Sequence, residues 1–264
     1  MTKAEIIRAL QAAGLQPLKS LGQNFLIEES LCRAIAAEIT SPPDDHWVEI
    51  GPGLGALTRV LLENGAGLTA IEIDQGLHRW LSEHFAGHPN LWLIKGDAVS
   101  ELPKLQHISV AVGNLPYNIS TPLLVEILKR PQLPREMVFT LQKETGLRFC
   151  ASPASKDYGA VSVLLQSCYR VECLRNLGGD VFHPRPNVDS VVFRASLLEH
   201  VPEASLRPAF YSMLRRAFSQ RRKKLRNTLG IDSDLRPEHL SVDAWLDVYA
   251  QTTKKDSPAG TGED

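Results

Sequence analysis

The chain carries an Asn-Leu-Pro-Tyr tetrad at residues 114–117, directly after an apolar run typical of a buried strand. These residue types fit the methylation of an aromatic amine, whose nitrogen is a poor nucleophile because its lone pair is delocalised into the ring. The Asn114 side-chain oxygen and the Leu115 carbonyl can accept the amine's N–H groups and aim the lone pair at a methyl donor. Pro116 keeps the residue before it extended, and Tyr117 offers a face on which a base can stack, worth roughly 1–3 kcal/mol. A proline-bearing turn without chemistry is the structural alternative.

A glycine-rich turn, with Gly51, Gly53 and Gly55, stands between a strand-like run and a helix-like pattern. Glycine tolerates positive φ and a close approach of the backbone to a ligand, and the helix start offers unpaired N–H groups and a positive dipole end. The spacing fits the dinucleotide fingerprint, with Ala56 in its last position, as well as the tighter pattern of methyl-donor sites. A turn that only packs the helix on the strand is also compatible, so the turn alone leaves these alternatives open.

Carboxylates lie at the ends of the next two strand-like runs. Glu72 lies 21 residues beyond Gly51, where a carboxylate can accept hydrogen bonds from both ribose hydroxyls of a nucleoside. A solvated acid is the alternative there, and Asp74 could serve as well. Asp97 could accept a hydrogen bond from an adenine amino group, or it could cap a helix instead.

Short apolar runs alternate with helical patterns from residue 47 onward, which is typical of a parallel sheet with helices on both faces. In open sheets of this class ligands bind at the carboxyl ends of the strands, where the tetrad, the glycine turn and the acids all fall. The sequence therefore predicts an α/β fold. The predicted strands are residues 47–50, 68–73, 91–95, 110–114, 137–141 and 188–198, and the predicted helices are residues 2–13, 28–39, 57–64, 77–85, 122–129 and 158–169. Residues 19–26 are predicted to form a loop with buried anchors.

Four motifs, in this order, resemble the rRNA adenine N6,N6-dimethyltransferase family, and its bacterial small-subunit type in particular. They are Leu-Gly-Gln-Asn-Phe-Leu at 21–26, Glu-Ile-Gly-Pro-Gly-Leu-Gly at 49–55, Asn-Leu-Pro-Tyr at 114–117 and Phe-His-Pro-Arg-Pro-Asn-Val-Asp-Ser at 182–190. The likeness covers residues 19–246. It implies a Rossmann-like class I methyltransferase fold with a mostly parallel seven-stranded sheet and a small C-terminal all-α domain.

The resemblance also implies S-adenosylmethionine as the methyl donor and assigns residues to its site. Those that match the family's donor site are Gln23, Asn24, Leu26, Gly51, Gly53, Glu72, Asp97 and Asn114, and those that match its catalytic site are Asn114, Leu115, Pro116, Tyr117 and Phe182. In similar enzymes the aromatic residue that matches Phe182 stacks on the target adenine opposite the tetrad's tyrosine, which offsets part of the cost of flipping the base. From its own context, Phe182 on a proline-stiffened loop is equally compatible with packing.

The C-terminal part is predicted to be helical, since Phe210, Leu214 and Phe218 share a helix face and no strand pattern interrupts it. Seven Lys and Arg residues without an acid lie between residues 215 and 226. With an RNA-methylating site upstream, this run is predicted to contact RNA phosphates rather than form a solvated helix flank. Its core is Arg221, Arg222, Lys223 and Lys224. The predicted domains are a catalytic domain at 1–199 and a helical RNA-binding domain at 200–251, followed by a disordered tail at 252–264.

The composition limits the classes of protein and of site to which the chain can belong. A formal net charge of −1 excludes a globally basic nucleic-acid coat, so binding depends on local clusters. The four cysteines form no C-x-x-C pair and lie near no histidine at zinc-site spacing, so they are interpreted as buried or idle thiols and no metal is predicted. The N-terminus lacks a secretory pattern and no run approaches a membrane span. A cytoplasmic monomer is the expectation.

These observations predict an S-adenosylmethionine-dependent enzyme that dimethylates N6 of two adjacent adenosines near the 3′ end of small-subunit rRNA, within an assembling ribosomal subunit. The target position comes entirely from the resemblance. One alternative is a large-subunit rRNA adenine methyltransferase of the antibiotic-resistance type, which shares the motifs. Another is a non-catalytic ribosome-assembly or RNA-binding factor with the same fold, and a third is an NAD oxidoreductase.

Overall fold

The computed structural model describes residues 1–44 and 46–256. The strands of this range are, in chain order, β1 (Phe25–Leu26), β2 (Trp47–Ile50), β3 (Leu68–Glu72), β4 (Leu91–Lys95), β5 (Val110–Asn114), β6 (Glu136–Gln142), β7 (Tyr169–Leu177), β8 (Phe182–His183) and β9 (Ser190–Leu197). The α-helices are α1 (Lys3–Ala12), α2 (Glu29–Ala37), α3 (Ala56–Glu63), α4 (Gln75–His84), α5 (Ala98–Glu101), α6 (Ser120–Lys129), α7 (Lys143–Phe149), α8 (Ala160–Gln166), α9 (Arg207–Ser219), α10 (Leu225–Thr228) and α11 (Val242–Asp256).

Seven strands form one sheet in the order β4-β3-β2-β5-β6-β9-β7. The five strands from β4 to β6 are parallel, whereas β9 and β7 are antiparallel to their neighbours. This confirms the predicted mostly parallel seven-stranded sheet. The strand order reverses between β2 and β5, and in an open sheet a crevice forms beyond the carboxyl ends of the strands at that point.

The central strands are mostly apolar and are buried along almost their whole length, because parallel strands with helices on both faces have no solvated side. All four residues of β2 and the first six of β6 are buried. The apolar faces of helices α3 and α6 complete the two layers: Leu57, Val60 and Leu61 pack with Val110 and Val112, and Leu123, Leu124 and Ile127 pack with Ala111 and Met137. These layers hold the carboxyl ends of β2, β3 and β5 in fixed positions.

Strand β7 was not predicted from the sequence. Residues 158–169 were predicted as one helix, but helix α8 covers only Ala160–Gln166 and the chain then turns into β7. Among the strands of residues 1–44 and 46–256, β7 pairs only with β9, and it carries Arg170, Glu172 and Arg175 along its length. Charged residues protect an edge strand from pairing with other chains. Here they alternate with Tyr169, Val171 and Cys173, and the alternation breaks at Leu174, where the register is irregular.

A second, two-stranded sheet joins the first and the fourth sequence motif. Phe25 pairs with His183 and Leu26 with Phe182 in antiparallel register. Both segments were predicted as loops, because two residues are too few to show a strand pattern. The pairing places the segment at 22–26 beside the one at 182–190.

The C-terminal helices pack on the catalytic part through a shared core. Phe210, Leu214 and Trp245 are fully buried in the same apolar cluster as Phe149 and Tyr158. In the described chain after Leu197 no further strand forms. The domain division at residue 200 stays a prediction, since the core is continuous across it.

Helix α11 runs into the segment that was predicted to be disordered. It ends at Asp256, and the Thr252 hydroxyl donates to the Tyr249 carbonyl at 2.8 Å and lies 3.8 Å from the sulfur of Met213 in α9. The helix thus covers residues 252–256 of the segment predicted as a disordered tail, and residues 257–264 lie outside the described residues. Within the described ranges, no helix combines the length and the apolarity needed to cross a bilayer.

Candidate active site

A cavity of about 210 Å³ opens at the carboxyl ends of β2, β3 and β5. The structure brings together in its lining all eight residues predicted for the donor site, namely Gln23, Asn24, Leu26, Gly51, Gly53, Glu72, Asp97 and Asn114. Helix α1 also contributes Ile6, which is fully buried. The cavity therefore lies at the reversal of strand order, where the alternation of strands and helices predicted a ligand site.

The glycine turn leaves space at the cavity that side chains would fill. Gly51 and Gly53 have φ values of 66° and 61°, in the left-handed region that disfavours other residues. A Cβ on Gly53 would lie 3.0 Å from the ring of Phe25, tighter than ordinary contact. Helix α3 begins at Ala56, three residues after Gly53, so its free N–H groups lie at the cavity's edge.

Glu72 is a buried carboxylate on the cavity wall, with 4% of its surface exposed. Its Oε2 accepts from the Gly53 N–H at 3.1 Å and its Oε1 accepts from the Asp74 N–H at 2.9 Å. Burial raises the pKa of Glu72, and the two N–H donors oppose that shift. The glycine turn and the acid are thus held together by a direct hydrogen bond.

Asp74, the alternative to Glu72, has a different environment. Its Oδ1 accepts from the N–H groups of Gly76 and Leu77 and so caps helix α4, while its Oδ2 accepts from Gln23 Nε2 at 3.1 Å. It does not line the cavity among the residues that the structure describes. Of the two acids, Glu72 is the one that faces the cavity.

Asp97 both caps a helix and lines the cavity, which are the two roles that its sequence context left open. It is the N-cap of α5, where Oδ1 accepts from the Val99 N–H at 2.9 Å, and it is also an exposed residue of the cavity lining. A carboxylate has several acceptor positions, so capping leaves Oδ2 for a ligand.

Glu49 is a buried acid in the lining that the sequence analysis did not select. Only 1% of it is exposed, and its Oε2 accepts from the Thr58 hydroxyl at 2.6 Å. Burial, together with the nearby charge of Glu72, raises the pKa of Glu49 to about 8, against the opposing hydrogen bond from Thr58. The signal was present in the sequence, because Glu49 is the one charged residue in an otherwise apolar strand before the glycine turn.

The tetrad and the segment at 22–26 are linked by one hydrogen bond. Asn114 Nδ2 donates to the backbone carbonyl of Asn24 at 2.7 Å, which leaves the Asn114 Oδ1 as a free acceptor. The Asn24 side chain donates to the Gly22 carbonyl at 3.0 Å, and Gln23 Oε1 accepts from the Leu18 N–H at 2.7 Å. The side chains of this segment therefore stabilise its own turn, and its backbone orients the amide of the tetrad.

The rest of the tetrad is held by strands β6 and β9. The Leu115 N–H donates to the Thr140 carbonyl at 3.0 Å, and the Leu115 side chain is buried. The half-buried Tyr117 hydroxyl lies 3.1 Å from the hydroxyl of Ser190, which is fully buried at the start of β9. Ser190 is the last residue of the fourth motif and was not among the predicted site residues. It connects that motif to the tetrad's aromatic ring.

The structure does not bring the Phe182 side chain to this cavity. The residue is 4% exposed and packs in an apolar cluster with Leu26, Leu177 and Val192. Tyr117 also lies outside the cavity lining within the described residues. The stacking role of Phe182 stays a prediction, and it requires that the ring become accessible.

The core of the basic run, residues 221–224, lies on the turn between α9 and α10, whereas Arg215 and Arg216 lie in α9 and Arg226 lies in α10. Arg221 is engaged internally, since its Nε donates to Glu238 at 3.1 Å and its Nη2 donates to the Ser155 carbonyl at 2.7 Å. Lys224 forms an exposed ion pair with Asp234 at 3.1 Å. Arg222 and Lys223 are exposed, and neither forms an ion pair with any residue in the described ranges.

The arrangement of cavity, glycine turn, buried acid and oriented amide matches a known family along most of the chain. Residues 15–241 match the family described as ribosomal RNA adenine dimethylase. The chain belongs to the ribosomal RNA adenine dimethylase family. It is therefore an enzyme that methylates rRNA, and the class I methyltransferase fold implies S-adenosylmethionine as its methyl donor.

Similar proteins agree with this family. The chain is 41% identical to ribosomal RNA small subunit methyltransferase A of Pseudomonas syringae pv. tomato, over 90% of this chain and 95% of the relative. It is 40% identical to the protein of the same name from Nitrosospira multiformis, over 88% and 95% of the two chains. In fold, it is similar to a dimethyladenosine transferase from Plasmodium falciparum, with a TM-score of 0.76 at 21% identity over 88% and 98% of the chains. The 23S rRNA methyltransferase ErmE gives a TM-score of 0.67 at 24% identity over 86% and 99%.

Proposed function

We propose that this enzyme transfers two methyl groups to N6 of each of two adjacent adenosines near the 3′ end of small-subunit rRNA, within an assembling ribosomal subunit. The observation that carries the choice of subunit is the 41% identity, over nine-tenths of the chain, to proteins named ribosomal RNA small subunit methyltransferase A. The likeness to the large-subunit enzyme rests on fold at 24% identity and does not favour that alternative. The proposal includes action as a monomer in the cytoplasm.

The residues of the cavity fit S-adenosylmethionine. Glu72 would accept hydrogen bonds from the ribose hydroxyls, and Asp97 would accept one from the adenine amino group through its free oxygen. The glycine turn leaves a cradle that a Cβ at Gly53 would obstruct, and the buried carboxyl of Glu49, which is mostly neutral below about pH 8, adds a polar group to the lining. The segment with Gln23, Asn24 and Leu26 would cover the donor from the opposite side.

S-adenosylmethionine, when bound, supplies a methyl group activated by its sulfonium. No strong general base is then required of the protein, and positioning contributes much of the rate. Asn114 Oδ1 accepts one N–H of the target amine because its Nδ2 is committed to the Asn24 carbonyl. The Leu115 carbonyl accepts the other. With both protons held, the nitrogen lone pair points out of the ring plane.

The second transfer places a further demand on the site. A monomethylated amine retains a single N–H, so one of the two acceptors loses its partner while the first methyl group must find space. The acceptor that remains has to hold the nitrogen in the same orientation. We assign this task to Asn114, because its amide orientation is fixed by a hydrogen bond to another segment.

The flipped adenine would stack on Tyr117, whose hydroxyl is anchored by Ser190. Phe182 would form the opposite face once the segment at 182–190 exposes its ring. The RNA backbone would contact Arg222 and Lys223, with Lys224 contributing after exchange of its exposed pair with Asp234. Arg221 would support this surface from within, since its guanidinium is already bonded to Glu238 and Ser155.

The test is mass mapping of methylated nucleotides in rRNA after incubation of the enzyme with donor and small subunits that lack the modification. N6,N6-dimethyladenosine at two adjacent positions near the 3′ end is expected. Asn114→Ala should remove it, whereas Asn90→Ala, on an exposed turn, should leave it unchanged. Modified adenosine in large-subunit RNA alone would contradict the proposal. An assembly role that survives both Asn114→Ala and Glu72→Ala would favour the non-catalytic alternative.

A further inference from the structure

Two cysteines that are distant in sequence lie next to each other in the fold. Cys150 directly follows helix α7, and Cys173 lies in the edge strand β7. Their sulfur atoms are 3.0 Å apart and share a hydrogen bond. Bonded sulfurs are about 2.05 Å apart, so a movement of about 1 Å would bring this pair to bonding distance. Both residues are half-buried and therefore reachable from solvent.

We propose that Cys150 and Cys173 form a redox-active dithiol site that a low-molecular-weight disulfide converts reversibly into an intramolecular disulfide. The thiolate of Cys173 attacks one sulfur of the reagent, which releases one reagent thiolate and leaves a mixed disulfide on Cys173. The Cys150 thiolate, after loss of its proton to solvent, attacks the Cys173 sulfur and displaces the second reagent thiolate. Two protein thiols are oxidised, and the reagent is reduced to two thiols.

The electrostatics of the pair supply the first nucleophile. The shared hydrogen bond lowers the pKa of Cys173 and raises that of Cys150, because a proton kept on Cys150 stabilises a thiolate on Cys173. Thiolates rather than thiols carry out exchange. Cys173 is therefore the residue that reacts first, and Cys150 is the one that resolves the mixed disulfide.

The other two cysteines provide an internal comparison. Cys32 and Cys168 are fully buried. Burial raises the pKa of Cys32 to about 11 and also raises that of Cys168. Both thiols are thus protonated and inaccessible in the folded protein, so the reaction should be confined to the half-buried pair.

The local structure permits the closure. Strand β7 has an irregular register between Cys173 and Arg175, and it pairs on one side only. The bond would join α7 to β7 and close a loop of 24 residues, from 150 to 173. A cross-link of this kind restricts the unfolded chain, so oxidation should raise the melting temperature by on the order of 5 °C.

The full-length protein should be incubated with oxidised glutathione, alkylated and digested with trypsin. Each cysteine falls on its own tryptic peptide: residues 20–33, 149–156, 157–170 and 171–175. The expected result is a cross-link between peptides 149–156 and 171–175, with peptides 20–33 and 157–170 carrying free thiols. Recovery of 149–156 and 171–175 as separate alkylated peptides, or each as its own glutathione adduct, would overturn the proposal.

The melting temperature gives a second readout. It should rise after oxidation and return after treatment with dithiothreitol. Cys150→Ser and Cys173→Ser, both at half-buried positions, should each remove the rise, and Cys168→Ala should retain it. Cys150→Ser should also accumulate the glutathione adduct on Cys173. A rise that persists in Cys173→Ser would refute the assignment of this pair. These measurements do not depend on the methylation reaction.

Discussion

Replacing Glu72 by glutamine tests the donor site with the smallest change in shape. The carboxylate accepts one N–H on each oxygen, from Gly53 and from Asp74. Glutamine offers a single acceptor oxygen and turns its own NH₂ group toward the other N–H. A buried donor that loses its partner lowers the free energy of unfolding by about 1–3 kcal/mol. Glu72→Gln should therefore fold with measurably reduced stability.

The larger effect of Glu72→Gln should be on the affinity for the methyl donor. A hydrogen bond to a charged acceptor contributes roughly 1.5–3 kcal/mol, so the loss of one such bond to the ribose should raise the Kd for S-adenosylmethionine roughly 10- to 150-fold. Isothermal titration calorimetry on the folded variant measures this directly. Denaturant unfolding of the same sample gives the change in stability.

Glu136→Gln is the matched control. Glu136 is equally buried, with 2% exposed, and accepts from backbone and hydroxyl groups of Thr40 and Ser41 at 2.9–3.3 Å. It begins β6, so it lies at the opposite end of the parallel strands from the cavity. The Glu136→Gln variant should lose comparable stability and keep the wild-type Kd for S-adenosylmethionine. Wild-type donor affinity in Glu72→Gln, or an equal loss in both variants, would refute the ribose assignment.

Three further predictions follow from the site and its surroundings. The pKa of Glu49 is raised to about 8 from the usual 4.5, so folding favours its neutral form and stability should fall as the pH rises from 4.5 to 8. Glu49→Gln should remove that fall in denaturant titrations, and an unchanged pH slope would contradict the cause. Ser190→Ala removes the hydrogen bond to the Tyr117 hydroxyl and frees the ring, so it should lower the methylation rate roughly 3- to 10-fold. The affinity for the donor should stay the same. An unchanged rate would show that Tyr117 needs no anchor. Arg222→Met should weaken RNA binding and reduce the slope of log K against log salt concentration by about one, whereas Arg221→Met should lower the melting temperature with little change in that slope. Filter binding at several salt concentrations separates the two variants. The reverse pattern would contradict the assignment of Arg222 to RNA contact and of Arg221 to internal support.

The sequence was sufficient to predict which residues meet in the cavity lining, because topology places them there. Parallel strands end at one edge of the sheet, so residues that follow β2, β3, β4 and β5 meet there regardless of their separation in sequence. The motif spacing and the family resemblance then selected the individual residues. Glu49 was missed because it precedes the turn within the strand and not after it.

Features that depend on long-range contacts were not predictable in this way. Arg221 looked like a member of a basic surface, but Glu238 and Ser155 engage its guanidinium from other segments. Cys150 and Cys173 share no spacing pattern, and the packing of helix α7 against β7 and β9 brings their sulfurs together. Propensity and periodicity describe neighbours within a few residues, whereas these contacts join residues that are 17 to 66 positions apart and that only the fold brings together.

The hydrogen bond between Asn114 and Asn24 connects the two halves of the proposed reaction. Asn24 belongs to the segment that lines the donor cavity, and Asn114 carries the acceptor for the target amine. An amide can present its oxygen in either of two orientations, and here the backbone carbonyl of Asn24 selects the one that leaves Oδ1 free. A displacement of this segment would therefore disturb the donor cavity and the acceptor orientation at once. In the proposed reaction, Asn114 would orient the target amine only when the segment at 22–26 is in place beside the cavity.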